Sequence, residues 1–132
     1  GTFVYGADLT ALGTGSQNTS DIELYCSESE SAADICANFV LSSPTYNGYS
    51  DWFLPSKDEL NLMYLNIGPG NALGLGNIGD FTTNRYWSSS QTSLTKAWSQ
   101  QFCANNDCTT NNGSQTDNPK NSPFNFRPVR AF

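Results

Sequence analysis

At 132 residues with 37% hydrophobic content, the chain suits one domain, residues 1–132, and is too short for two comfortable cores. Its net charge of −6 argues against nucleic acid, whose binding is driven by Lys and Arg neutralising phosphates. No apolar run approaches the roughly 20 residues that span a bilayer, so no membrane insertion is expected.

Thr2-Phe3-Val4-Tyr5, a β-prone run ended by Gly6, is a predicted first strand. Residues Ala7 to Ser20 are rich in Gly, Thr and Ser and read as loop. Ser31 or a neighbouring serine caps a predicted helix through about Leu41, with Ala32, Cys36, Phe39 and Val40 on one face. After a turn at Ser42 to Asn47, Asp51 to Leu54 is a predicted strand. Trp52, the expected core anchor, shares one side with Leu54, and Asp51 shares the other with Phe53.

Pro55 separates this strand from the best-marked helix start in the chain, because a residue before proline avoids the helical conformation. Ser56 and Glu59 have capping-box spacing, in which each side chain satisfies an orphan backbone N–H. Leu60, Met63, Tyr64 and Ile67 then recur as an apolar face, widened by Leu62 and Leu65, until Gly68-Pro69-Gly70 ends it. Gly68 to Asn84 reads as a long, partly packed loop, since it carries apolar anchors that a linker lacks. Tyr86 to Ser90, Ala97 to Phe102 and Phe124 to Phe132 are predicted strands. Alternation puts Trp98 and Phe102 on one face of the second, and the last is expected beside the first strand. Eight Phe, six Tyr and three Trp supply much of the core area. By pattern alone this is an α+β chain.

The charges are unevenly distributed. No Lys or Arg precedes Lys57, while Asp8, Asp21, Glu23, Glu28, Glu30, Asp34 and Asp51 all lie in that half. A solvated face accounts for them, and no basic patch for an anionic polysaccharide is evident. Four cysteines without histidine point away from zinc and cysteine-protease chemistry, the Cys26 to Cys36 spacing being too wide for a zinc knuckle. An even count in a small, loop-rich domain suggests two disulfides formed in an oxidising compartment. Of three possible pairings, Cys26 with Cys36 and Cys103 with Cys108 is expected because each closes locally; four reduced, buried thiols is the other reading.

The phrase Gly48-Tyr49-Ser50-Asp51-Trp52-Phe53-Leu54-Pro55-Ser56-Lys57-Asp58-Glu59-Leu60 is followed by Tyr86-Trp87-Ser88-Ser89-Ser90, then Ala97-Trp98, then Phe126-Arg127-Pro128-Val129-Arg130-Ala131-Phe132. Together these resemble the Lcl C-terminal domain family, named after a collagen-like bacterial adhesin and found on bacterial surface and phage-encoded proteins. Gly13-Thr14-Gly15 and the Cys26 to Cys36 segment fit its upstream half, so the resemblance spans essentially the whole chain. It implies a C-type-lectin-like fold: two helices, a small twisted antiparallel sheet and long surface loops. It also implies an extracellular, cell-surface or virion location. Related domains include variable receptor-binding proteins diversified by retroelements, and the Asn-rich C-terminal half here resembles that pattern.

Residues 104–123 hold almost no apolar side chain, so they belong on the surface. Their Asn, Gln, Ser and Thr groups both donate and accept, which suits a glycan or a protein receptor. The expected contact set is Gln91, Thr92, Ser93 and Thr95 at a hairpin tip, Gln100, and Asn105, Asn106, Asn111, Asn112, Gln115, Asp117 and Asn118, with Trp98 either lining the floor or packed in the core. Asp107, Asp117, Asn105 and Asn118 are candidate calcium ligands, yet carboxylates are few and the paired sugar-lectin calcium motifs are absent, so no cofactor is expected. Asn18-Thr19-Ser20 and Asn112-Gly113-Ser114 match glycosylation sequons, expected to be silent in a bacterial protein.

A non-enzymatic adhesin or receptor-binding module is the expected function. An enzyme without His would rely on carboxylates such as Asp51, Asp58 and Glu59, and the last two are explained by the helix dipole. A structural or trimerising tip shares the fold and lacks a receptor, so an oligomer is possible.

Overall fold

The computed structural model describes residues 4–28, 30–39, 49–103 and 112–131. Among them lie helices α1 (Gly15–Tyr25), α2 (Ala32–Ala37) and α3 (Lys57–Asn66), followed by strands β1 (Asn84–Gln91), β2 (Lys96–Phe102) and β3 (Gln115–Pro119). The strands form one small antiparallel open sheet in the order β1-β2-β3, so the architecture is α+β.

The predicted capping box starts α3: the Ser56 N–H donates to Glu59 Oε2 at 2.7 Å and the Glu59 N–H to Ser56 Oγ at 3.3 Å. Leu60 and Tyr64 then bury against Phe81, Tyr86 and Phe102, with Met63 packed alongside. The rings meet at angles, Tyr64 edge-on to Phe102 at 5.3 Å and Phe81 edge-on to Tyr86 at 5.3 Å. The helix buries a narrower stripe than its apolar repeat suggests, because the sheet covers one side only; Leu62, Leu65 and Ile67 stay exposed. A second cluster, Ala33, Cys36 and Leu54, lies under α1 and α2 with Ile22, Ala32 and Phe126 against it.

Among the described residues three helices stand where two were expected. Helix α1 occupies part of the predicted loop, and its inward residues Gly15, Asn18 and Thr19 are small or polar. Asn18 Nδ2 donates to Leu9 O at 2.7 Å and to Ser89 Oγ at 3.3 Å. Thr19 Oγ1 accepts from the Leu54 N–H at 3.0 Å. The packing is bound by hydrogen bonds, so it left no apolar repeat to read. Gly15 is required there, since a Cβ would lie 2.2 Å from Glu59 Oε2 and 2.7 Å from the Ser56 nitrogen.

Helix α2 begins at the predicted serine, Ser31 Oγ accepting from the Asp34 N–H, and ends at Ala37, short of the expected Leu41. Asn38 Nδ2 turns back to Asp34 O at 3.0 Å and closes it. Asn38 and Phe39 are no longer helical, and residues 40–41 and the turn at 42–47 fall outside the described residues. The predicted strand at 51–54 is a single bridge, Phe53 to Val129, and Phe53 and Leu54 are both buried rather than alternating. Residues 1–3 lie outside the described set, and Val4 is held by the Gln91 side chain rather than by a strand. The C-terminal segment docks through Asn125 beside β1 and Val129 beside Phe53, so the expected last strand is reduced to two bridges.

Serines at the end of β1 bind these parts together. The Ser89 N–H donates to Pro55 O at 2.8 Å, and Ser90 Oγ accepts from the Lys57 N–H at 3.0 Å while donating to Leu9 O. These buried hydroxyls seat α1 and the start of α3 against the sheet.

A candidate recognition surface at the sheet edge

Strand β3 is an outer strand of the sheet, and its register on β2 sets which side chains surround it: Trp98 opposes Asp117, Ser99 opposes Thr116 and Gln100 opposes Gln115. Gln100 is fully buried. Its Nε2 donates to Asn61 Oδ1 at 2.8 Å and Gly113 O at 3.1 Å, and its Oε1 accepts from Gln115 Nε2 at 3.3 Å. Gln115 Nε2 also donates to Lys57 O at 2.7 Å, so its amide ties the edge strand to the start of α3. On the opposite face Ser99 Oγ donates to Asn118 Oδ1 at 2.7 Å, and Arg85 Nε donates to Ser99 Oγ at 3.0 Å. The Arg85 guanidinium reaches Thr116 Oγ1 as well. Burial lowers the Arg85 pKa from its usual value without removing its charge.

The expected contact residues divide accordingly. Thr92, Thr95, Asn112 and Asp117 are exposed, and Ser93, Trp98, Gln115 and Asn118 are half-buried. Gln91 and Gln100 are corrections, being core amides that face away from solvent. Gln91 bonds the Val4 backbone with both ends of its amide. Asn105, Asn106 and Asn111 lie outside the described residues, as does Cys108. The end of that segment is nonetheless anchored, since Asn112 Oδ1 accepts from the Cys103 N–H at 3.1 Å and the Gly113 N–H donates to Gln101 O at 2.8 Å.

Trp98 stands between core and surface. The Lys57 ammonium lies 4.0 Å from its ring centroid, a cation–π contact, and Asp117 across the strand pairs with Lys96 at 3.3 Å. Lys57, Arg85 and Thr116 thus join the surface although the sequence reading did not single them out. Arg85 carried a signal, being one of only six basic residues and standing at the head of a strand.

Of the two expected bridges, the one between Cys26 and Cys36 is corrected. Cys103 is disulfide-bonded, but Cys26 and Cys36 are free thiols. Cys36 points into the cluster with Ala33 and Leu54, whereas Cys26 caps the end of α1 and lines a cleft. Burial pushes the Cys36 pKa up to about 12. Of the candidate calcium ligands, Asn105 and Asp107 lie outside the described residues. Asp117 pairs with Lys96, and Asn118 Oδ1 already accepts from Ser99 and Thr116. Asn18 is fully buried, so that sequon is closed to a glycan, while Asn112 is exposed. No helix among the described residues is long and apolar enough to cross a membrane. No family model, curated protein or solved structure matches this chain.

Proposed function

We propose that this chain is a non-enzymatic receptor-binding or adhesin domain with a C-type-lectin-like fold, carried on a bacterial surface or virion. It presents a polar strip, from the β1–β2 turn at 92–95 through β3 and on toward residue 123, to a glycan or protein receptor. The observation that carries this reading is the construction of β3: a strand of polar side chains held on one face by buried Gln100 and on the other by buried Ser99. A polar surface already ordered loses little entropy on binding, which suits recognition. Half-buried Trp98 supplies a ring face of the kind on which a sugar or apolar side chain rests.

The test is a glycan and cell-surface array probed with the wild type and with Thr116→Ala, Asp117→Ala and Trp98→Ala. Loss of at least roughly tenfold in affinity, about 1.4 kcal/mol, is expected for one or more of them with the melting temperature retained. Binding that survives all three, or turnover of a bound ligand, overturns the reading. Diversification by a retroelement is part of the proposal, and a gene neighbourhood without a reverse transcriptase and a near-duplicate repeat would remove it.

A second reading, a self-associating structural tip, draws on the exposed Leu62, Leu65, Leu73, Leu75 and Ile78 of α3 and the following loop. A monomer by sedimentation at high concentration counts against it.

A further inference from the structure

The second core cluster is incomplete. Where α1 and α2 face the sheet, α2 offers the small side chains of Ala32 and Ala33, and between them and the strands lies a cleft of about 360 Å³. Its floor is aromatic: Trp87 and Phe124 pack with ring centroids 4.9 Å apart, and Phe126 adjoins. Ile22, Ala32 and Leu54 form the facing wall, and Ala97 of β2 forms one side. Ligand sites are typically about 300–1,000 Å³ and mostly apolar with a few polar groups, and a dry cavity of about 150 Å³ already takes benzene.

The rim decides what head group fits. Glu28 and Lys120 share it, and the Lys120 ammonium donates to Gln91 Oε1 at 3.0 Å. Burial lowers the Lys120 pKa, while Cys26 and Glu28 push it back up, so amine, thiol and carboxylate sit within electrostatic reach of one another. A carboxylate head would meet Glu28 and Glu30, and an ammonium head would meet Lys120. A neutral hydroxyl or amide meets no like charge and can both donate and accept.

We infer that this cleft between α1, α2 and β1–β2 binds a small uncharged amphiphile: an apolar body of about two fused rings or a chain of about eight carbons, with a hydroxyl or amide at the rim. None of residues 92–95 or 112–119 lines it, so this site adjoins the polar strip only through Lys120 and Ser122.

Cys26 makes the site measurable. It lines the cleft as a half-buried free thiol, so an occupant shields it from iodoacetamide, and the modified peptide is read by mass spectrometry. With β-naphthol as the probe at ten times its Kd, alkylation of Cys26 in the wild type is expected to slow by about tenfold, as mass action requires. Ala97→Leu, which fills the cleft from β2, is expected to weaken naphthol binding by about tenfold or more. An alkylation rate unchanged up to the solubility limit of naphthol overturns the inference. So does stronger protection by β-naphthoate or naphthylmethylammonium, or a folded Ala97→Leu that binds naphthol like the wild type. Should Ala97→Leu fail to fold, the wild-type protection experiment decides alone.

Discussion

Gly113 stands at the junction between the disulfide-bonded end of β2 and the edge strand, and it is held there by two constraints. Its φ is +79°, and a Cβ would lie 2.6 Å from Tyr64 Cε1, within the ring that packs on Phe102. Gly113→Ala must therefore strain the backbone or push Tyr64, and a loss of about 1–3 kcal/mol is expected in urea or thermal unfolding. An unchanged midpoint would mean that the turn relaxes freely. In the sequence, Asn112-Gly113-Ser114 stood out only as a sequon, and not as the turn that it forms. The tyrosine that excludes a side chain was not legible either, because it comes from another element. Gln91 and Gln100 teach the same lesson: amides in a polar sequence read as surface, yet both have their hydrogen bonds met inside and belong to the core.

Among the elements, α3 was the most legible, since its start is written in two residues that bond each other. Ser56 does more than cap: its Oγ donates to Ala11 O at 2.8 Å, and Glu59 Oε1 accepts from the Gly13 N–H at 2.8 Å, so the box also holds the loop before α1. Ser56→Ala is accordingly expected to cost about 1–2 kcal/mol, the upper part of the range for a lost N-cap, measured by chemical denaturation. A cost near zero would show that water replaces both bonds. Helix α1 and strand β3 were illegible for the converse reason. The inward residues of α1 are polar, and Gln115-Thr116-Asp117-Asn118-Pro119 has little intrinsic β preference beyond Thr116. It is a strand because the free edge of β2 offers it a ladder.

Over the whole molecule, the scarce cations are placed one by one rather than gathered into a patch. Arg127 donates to Gly79 O and Asp80 O and lies 4.5 Å from the Phe81 ring centroid. Arg130 stacks 3.4 Å from the Tyr49 ring centroid and forms a two-point pair with Asp51, at 2.5 and 3.0 Å. That pair fastens the C-terminal segment to the start of the Trp52 region. Its hydrogen bond from Arg130 holds the Asp51 carboxyl below its ordinary pKa of 3.8. A depressed carboxylate contributes stability that is complete above the unfolded value and is lost as the pH falls through the folded one. The acid limb of a melting-temperature profile should therefore drop below about pH 4, and Asp51→Asn should flatten that drop; the effect is small because the pair is exposed. Identical acid limbs for the two proteins would remove the pair from the account.

From the residues alone followed the α+β class, the capped and aromatic-backed α3, strands β1 and β2 and the polar character of the surface around β3, because each is written in near neighbours. The tertiary structure decided the rest: the helix at Gly15–Tyr25, the burial of Gln91 and Gln100, and the free state of Cys26 and Cys36. The reason is reach along the chain. Val4 and Gln91 bond across 87 positions and Gln115 and Lys57 across 58, and a side chain's preference for water or core is settled only when such partners meet.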